Sequence, residues 1–134
     1  MNKIRTLIAH NDMNITNNIL KSVENLEYVD IVGTAKDGQE TFNKIIELKP
    51  EMIFTKYNME NMNGFEIVKS SKEKLENNIP IFNMIIDNNI REDEIDKMYE
   101  VIGNKLNSLI TEPINDEIVN TINDYKELKD KSNK

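Results

Sequence analysis

The chain has no cysteine. Disulfides, thiol catalysis and cysteine-based metal sites are thereby excluded. His10 is the single histidine, which also removes Ser-His-Asp and Cys-His nucleophile systems and zinc sites built on several histidines. Glycine and proline are scarce, 4 and 3 residues, and no Pro/Gly/Ser-rich linker divides the chain. Gly38 and Gly64 stand apart, so there is no GxGxxG or P-loop pattern to cradle a nucleotide. Positive charge is in the minority: 17 Lys and Arg face 24 Asp and Glu, a net charge of -7 that argues against direct contact with nucleic acid. No apolar run is long and continuous enough for a transmembrane helix. Lys3 and Arg5 are followed at once by a strand-like run and a polar turn, which is not a signal-peptide pattern. These absences lead us to expect a cytoplasmic protein with no membrane contact.

What is present is enough for one domain. The 134 residues, 38% hydrophobic and 31% charged, suffice for a normal core in a soluble globular protein. No internal repeat or low-complexity segment interrupts them. We place the domain at residues 1–126 and a charged tail, expected to fray, at 127–134.

Five short apolar runs alternate with five amphipathic stretches. The runs are Ile4 to Ala9, Tyr28 to Ala35, Met52 to Lys56, Pro80 to Ile86 and Leu106 to Thr111. Between them apolar residues recur at helical spacing: Ile15, Ile19, Leu20, Val23 and Leu26; then Phe42, Ile45 and Ile46; then Phe65, Val68 and Leu75; then Ile95, Met98, Tyr99 and Ile102; and last Ile114, Ile118, Ile122 and Tyr125. Asp37 followed by Glu40 reads as a helix N-terminus, and a third helix is expected to start at Asn63 or Gly64. Strict alternation of strand and helix predicts an α/β protein with a parallel sheet, helices on both faces and right-handed crossovers. Five pairs suit the flavodoxin-like, doubly wound order 2-1-3-4-5.

The organising stretch is Pro50 to Gly64. Met52 to Thr55 reads as a strand buried on both faces. Lys56 then stands at its carboxyl end, where the chemistry of an open parallel sheet is sited. With Pro50, Met59, Met62 and Gly64 in register, this stretch resembles the central strand and following loop of bacterial response-regulator receiver domains. Further landmarks are Ala35-Lys36-Asp37-Gly38, Ile79-Pro80 and Pro113, and the resemblance covers residues 3 to 126.

The resemblance implies a phosphoryl transfer to aspartate assisted by Mg²⁺, and every part of that machinery falls on an altered residue. The metal-holding acidic pair falls on His10 and Asn11, with only the following acid kept as Asp12. The acceptor position falls on Lys56, the hydroxyl on Ile85, the aromatic reporter on Leu109 and the phosphate-pairing lysine on Glu112. Such transfer depends on positioning and charge, so a partial set does not serve. Direct chemistry agrees: Mg²⁺ wants hard oxygen ligands, and a lysine ammonium in the middle of the pocket opposes it. No Mg²⁺ and no cofactor are expected, and no enzymatic activity.

Lys56 and Glu112 carry the family's carboxylate–lysine pair with the signs exchanged. We expect an ion pair between them, with His10 or Asn11 nearby, worth on the order of 0–1 kcal/mol if exposed. The acids Asp12, Glu60, Asp87 and Glu112 are expected as caps and solvated charge, and Glu92, Asp93, Glu94 and Asp96 as favourable charge at a helix N-terminus.

The functional expectation is a degenerate receiver, a pseudo-receiver, in a two-component phosphorelay setting. It would act by phosphorylation-independent protein–protein interaction, in one variant as the N-terminal part of a longer transcriptional regulator. Similar domains dimerise or dock through the fourth helix, fifth strand and fifth helix, which assigns Ile95, Met98, Tyr99, Ile102, Asn115, Ile118, Ile122 and Tyr125 to a partner or homodimer face. The alternative is a working phosphorelay receiver with a non-standard acceptor. Its candidate nucleophiles are Asp12, His10 and Thr55, although Thr55 is expected to point into the core. A flavodoxin-type ligand domain needs a phosphate-cradling loop after the first strand, and His10-Asn11-Asp12-Met13-Asn14 contains no glycine.

Overall fold

Period-two alternation in short apolar strands and a 3.6-residue stripe in each helix together dictate a sheet covered on both faces. The computed structural model, which describes residues 2–132, has that arrangement. Its elements are β1 (Ile4–Ala9), α1 (Met13–Val23), β2 (Val29–Ala35), α2 (Gly38–Leu48), β3 (Met52–Lys56), α3 (Gly64–Leu75), β4 (Ile81–Ile86), α4 (Glu92–Ile102), a short 3₁₀ turn (Gly103–Lys105), β5 (Leu106–Thr111) and α5 (Glu117–Ser132). All strand pairs are parallel, in the order β2-β1-β3-β4-β5. The fold is the flavodoxin-like one.

β3 is the middle strand, and Met52, Ile53, Phe54 and Thr55 are all fully buried. Alternate residues feed two cores. Leu7, Ile53, Phe82 and Met84 pack with Ile45, Ile67, Val68 and Met98. Ile8, Phe54, Ile85 and Ile110 pack with Ile19, Val23, Ile118 and Ile122 on the opposite face. Fully burying one such side chain stabilises by roughly 1.5–3 kcal/mol, so these two layers hold the sheet's edges in fixed relation. Polar side chains buried in the sheet include Thr6, Thr55 and Asn83, and the last of these links strands. Asn83 donates to Ile53 O at 3.1 Å and accepts from Asn107 and Ser108 at 2.9 and 2.8 Å, beside the register shift between β4 and β5.

Five boundaries differ from the sequence expectation. α1 ends at Val23, short of Leu26, and α5 begins at Glu117, past Ile114. β2 begins at Val29, one residue after Tyr28, whose carbonyl accepts the Ile4 amide at 2.8 Å. β4 begins at Ile81, since Pro80 has no N–H to give the ladder. α5 runs through the residues expected to fray, as far as Ser132. Its last turns are tied down by Lys126–Asp130 at 2.7 Å, Lys131–Glu127 at 3.3 Å and Lys129–Glu51 at 2.7 Å. Lys126 also lies 5.2 Å from the centre of the Tyr28 ring.

The helix starts follow capping chemistry. Asp37 accepts the Glu40 amide, and Glu40 reaches back to the Lys36 amide. Asn63 and Glu66 close a full capping box, so α3 begins at Gly64 with Asn63 as its cap.

Candidate functional site

The carboxyl edge of the sheet gathers the ends of β1, β3 and β5. β1 runs directly into His10, whose amide bonds Ala35 O of β2 at 3.0 Å and holds the ring against the edge. The ring is 1% exposed. Its Nδ1 accepts the Asp12 amide at 3.0 Å. An acceptor nitrogen carries no proton, so the ring is the neutral Nε2–H tautomer. Nε2–H then donates to Glu112 Oε2 at 3.2 Å. The other carboxylate oxygen, Oε1, accepts Lys56 Nζ at 2.7 Å.

Backbone bonds set the height of these side chains. Tyr57 N bonds Ile85 O at 2.8 Å just beyond Lys56, and Glu112 N bonds Ile86 O at 2.9 Å just beyond β5. The Glu112–Pro113 peptide is cis. The structure therefore brings Lys56, Glu112 and His10 into one continuous network, with the Lys56 and Glu112 side chains only 18% and 20% exposed. Asn11 stands apart from it, exposed, and lines a shallow recess of about 290 Å³ with Lys36, Asp37 and Glu60. Asp12 caps α1 by accepting the Asn14 amide at 2.9 Å.

Electrostatics follow the geometry. Burial pulls the His10 pKa below its usual 6.5, and Lys56 adds to this, while the bond and charge of Glu112 and the charge of Asp12 oppose it. Burial pushes the Glu112 carboxyl up. The hydrogen bonds from Lys56 and His10, with their charges, outweigh it and hold that carboxyl below its usual range. The network at neutral pH is thus an ammonium, a carboxylate and a neutral imidazole.

The remaining expected site positions lie in the core or beside it. Ile85 is fully buried among the residues under α1 and α5, and offers no hydrogen bond. Leu109 is half-buried against the opposite core. Thr55 is fully buried, its hydroxyl directed to Lys56 O at 3.2 Å. Asp87 accepts the Asn89 amide of its own turn. Among the described residues no three His, Asp or Glu side chains form a group able to hold a metal ion.

The partner face requires correction. Met98, Ile102, Ile118 and Ile122 are buried, because helical apolar spacing marks the stripe that faces the sheet. They are not available to a partner. Tyr125 is half-buried, and its hydroxyl is taken by Glu51. Of the eight residues, Tyr99 and Asn115 are exposed and Ile95 is half-buried.

Tyr57, Gly38 and Gly64 have contacts that no local sequence pattern indicates. Tyr57, next to Lys56, is 3% exposed in the core beside α4, and burial, then the Glu94 charge, pushes its hydroxyl up to about 12. Gly38 sits where an added Cβ would lie 1.8 Å from Met62 O, and its amide bonds Glu60 O at 2.9 Å. Gly64 is tight too, its Cβ position 2.5 Å from Tyr57 Cδ1. These close approaches pin the loop after Lys56 onto the start of α2. The two glycines were visible as isolated residues, but their neighbours come from distant parts of the chain.

No family model matches the chain. Among solved structures, the signal receiver domain of the response regulator NarL from Mycobacterium tuberculosis superposes with a TM-score of 0.76 at 15% identity, covering 95% of this chain and 98% of that one. The REC domain of AraT, a response regulator from Geobacillus stearothermophilus, gives 0.76 at 22% identity, covering 97% and 98%. The response regulator domain of Thermotoga maritima CheB gives 0.64 at 25% identity, covering 93% and 92%. Among curated sequences, a protein-glutamate methylesterase/protein-glutamine glutaminase of Thermotoga maritima is 38% identical over 72 residues, 53% of this chain and 21% of that protein. Protein-glutamate methylesterase/protein-glutamine glutaminase 3 of Geobacter sulfurreducens is 33% identical over 69 residues, 52% and 19%. The chain spans about a fifth of the length of these curated relatives. The fold is that of response-regulator receiver domains. Among the described residues, no helix is long and apolar enough to cross a membrane.

Proposed function

We propose that this chain is a pseudo-receiver: a receiver-fold signalling module that takes no phosphoryl group and acts through protein contacts. The observation that carries the reading is Lys56. It occupies the carboxyl end of the central strand, and its ammonium is held 2.7 Å from Glu112. An aspartyl phosphate needs a carboxylate there, and Mg²⁺ needs oxygen ligands without a cation among them. The Lys56–Glu112–His10 network takes the place of metal and phosphate as the link between the ends of β1, β3 and β5.

On this reading the output is a protein surface in a fixed state, and the chain itself performs no catalysis. The α4–β5–α5 side supplies it, through exposed groups such as Tyr99 and Asn115 rather than the buried stripe. The curated relatives carry an esterase and glutaminase activity in their names, and the matched fifth of their length corresponds to a regulatory module on the same reading. A cytoplasmic setting and a longer parent protein with an output domain belong to the proposal too.

The test is an NMR titration with Mg²⁺ and then beryllium fluoride, a mimic of an acyl phosphate. The expected result is no saturable shift at His10, Asp12, Lys56 or Glu112. A saturable shift at those residues would refute the reading and make Asp12 the first candidate for ligand or acceptor.

A further inference from the structure

The His10 ring is placed where a proton would force a choice on its neighbour. Asp12 serves it twice: the Asp12 amide donates to Nδ1 at 3.0 Å, while the Asp12 carboxylate caps α1 by accepting the Asn14 amide at 2.9 Å. We propose that the β1–α1 turn is a proton-driven switch, in which protonation of His10 Nδ1 expels the Asp12 amide and draws the Asp12 carboxylate from the α1 N-terminus to the imidazolium.

The argument is one of donors and acceptors. A protonated Nδ1 is a donor and faces the Asp12 N–H, another donor, across a contact made by a ring that is itself almost wholly buried. The bond must break. The imidazolium keeps its Nε2–H bond to Glu112, since that nitrogen donates in both states. The new Nδ1–H needs an acceptor, and the nearest flexible carboxylate is Asp12, two residues along the chain. The proton comes from solvent and ends on Nδ1, with no other bond made or broken covalently.

The charged groups facing the ring come from three elements: Asp12 from the turn after β1, Lys56 from the end of β3 and Glu112 from beyond β5. Burial and Lys56 favour the neutral ring, while Glu112 and Asp12 favour the charged one. The transition lies on the acid side of 6.5, so the capped turn holds at neutral pH. Loss of the Asp12 cap frees the first turn of α1, where Met13 is already 53% exposed. The switch rests on the pseudo-receiver reading in one respect, that the Asp12 carboxylate holds no metal, and the Mg²⁺ titration tests that apart from the pH titration below.

His10 is the only histidine, which makes the test direct. Amide and ring spectra of the whole chain are followed from about pH 8 to 5, the range in which imidazole titrates. The expected result is that the Asp12 and Asn14 amides move together with the His10 ring signals, with one shared midpoint below 6.5. In His10→Asn, whose carbonyl oxygen replaces Nδ1 as acceptor, those amide shifts disappear. The proposal fails if the ring titrates while the Asn14 amide stays in place. It fails equally if the ring takes up its proton only as the protein unfolds, a result the unmodified chain alone can give.

Discussion

Glu112 at the carboxyl edge of the sheet and Glu51 at its amino edge are built alike. Each accepts a lysine ammonium at 2.7 Å, Lys56 in one case and Lys129 in the other. Each also accepts from an uncharged ring donor, the His10 imidazole for Glu112 and the Tyr125 hydroxyl for Glu51. They differ in what they join and in how wet they are. Glu112 ties together the ends of β1, β3 and β5, and its lysine is 18% exposed. Glu51 ties the approach to β3 to the outer turns of α5, and its lysine is 33% exposed. The same chemistry thus serves two purposes. At the carboxyl edge, where open parallel sheets bind their ligands, it joins three strand ends. At the other end it fastens a helix. Cluster chemistry alone would not distinguish them; position in the fold does.

The comparison is broken most severely at Lys56. Lys56→Met leaves a half-buried Glu112 carboxylate with only His10 as partner, and should cost about 1–3 kcal/mol, between the values for exposed and fully buried pairs. Urea unfolding measures it, and a loss indistinguishable from zero would mean that the network is not holding the edge. Glu51→Gln at the other end keeps an acceptor oxygen but loses the charge, so about 1 kcal/mol is expected. Its mark is local: amide exchange should rise in the last turns of α5 while the carboxyl edge stays protected. If the two variants behave alike in both respects, the distinction drawn between the two ends is wrong.

The two glutamates were not equally legible in the sequence. Apolar runs place Lys56 and Glu112 at strand ends, and parallel packing puts strand ends on one edge, so their proximity follows from local patterns. The role of His10 is half legible: its position is given, but the tautomer depends on the Asp12 amide, which only the folded turn aims at Nδ1. Glu51, Tyr125 and Lys129 meet across 74 and 78 residues, with no local signal. The charged run after Tyr125 therefore reads as a loose tail although it is helix. The partner-face error has a related cause. Period-3.6 apolar spacing identifies the stripe a helix buries, and Met98, Ile102, Ile118 and Ile122 are that stripe. Residues for a partner have to be sought off the buried stripe, as at Tyr99 on its exposed margin.

The smallest effect sharpens the comparison most, because the two ends should fail at opposite extremes of pH. His10 and Glu112 both have folded pKa values below their ordinary ones. The unfolded chain therefore takes up protons first as pH falls, and stability present above 6.5 is lost through the acid side, with the Glu112 part lost below 4.5. Tyr125 is the reverse case. Burial, then the bond and charge of Glu51, raise its pKa, so the folded state holds the hydroxyl proton longer than the unfolded chain does. Its contribution is intact below 10.0 and is lost as pH rises beyond that. Tyr57 shifts in the same direction, so alkaline sensitivity of the whole protein is not diagnostic by itself. The difference between the chain and Tyr125→Phe is. Urea midpoints measured against pH should show the alkaline slope reduced in Tyr125→Phe with the acid slope unchanged, and the acid slope reduced in His10→Asn with the alkaline slope unchanged. A substitution that flattened both limbs would show that the ends are coupled through the sheet, and the contrast between an edge site and a helix fastening would have to be given up.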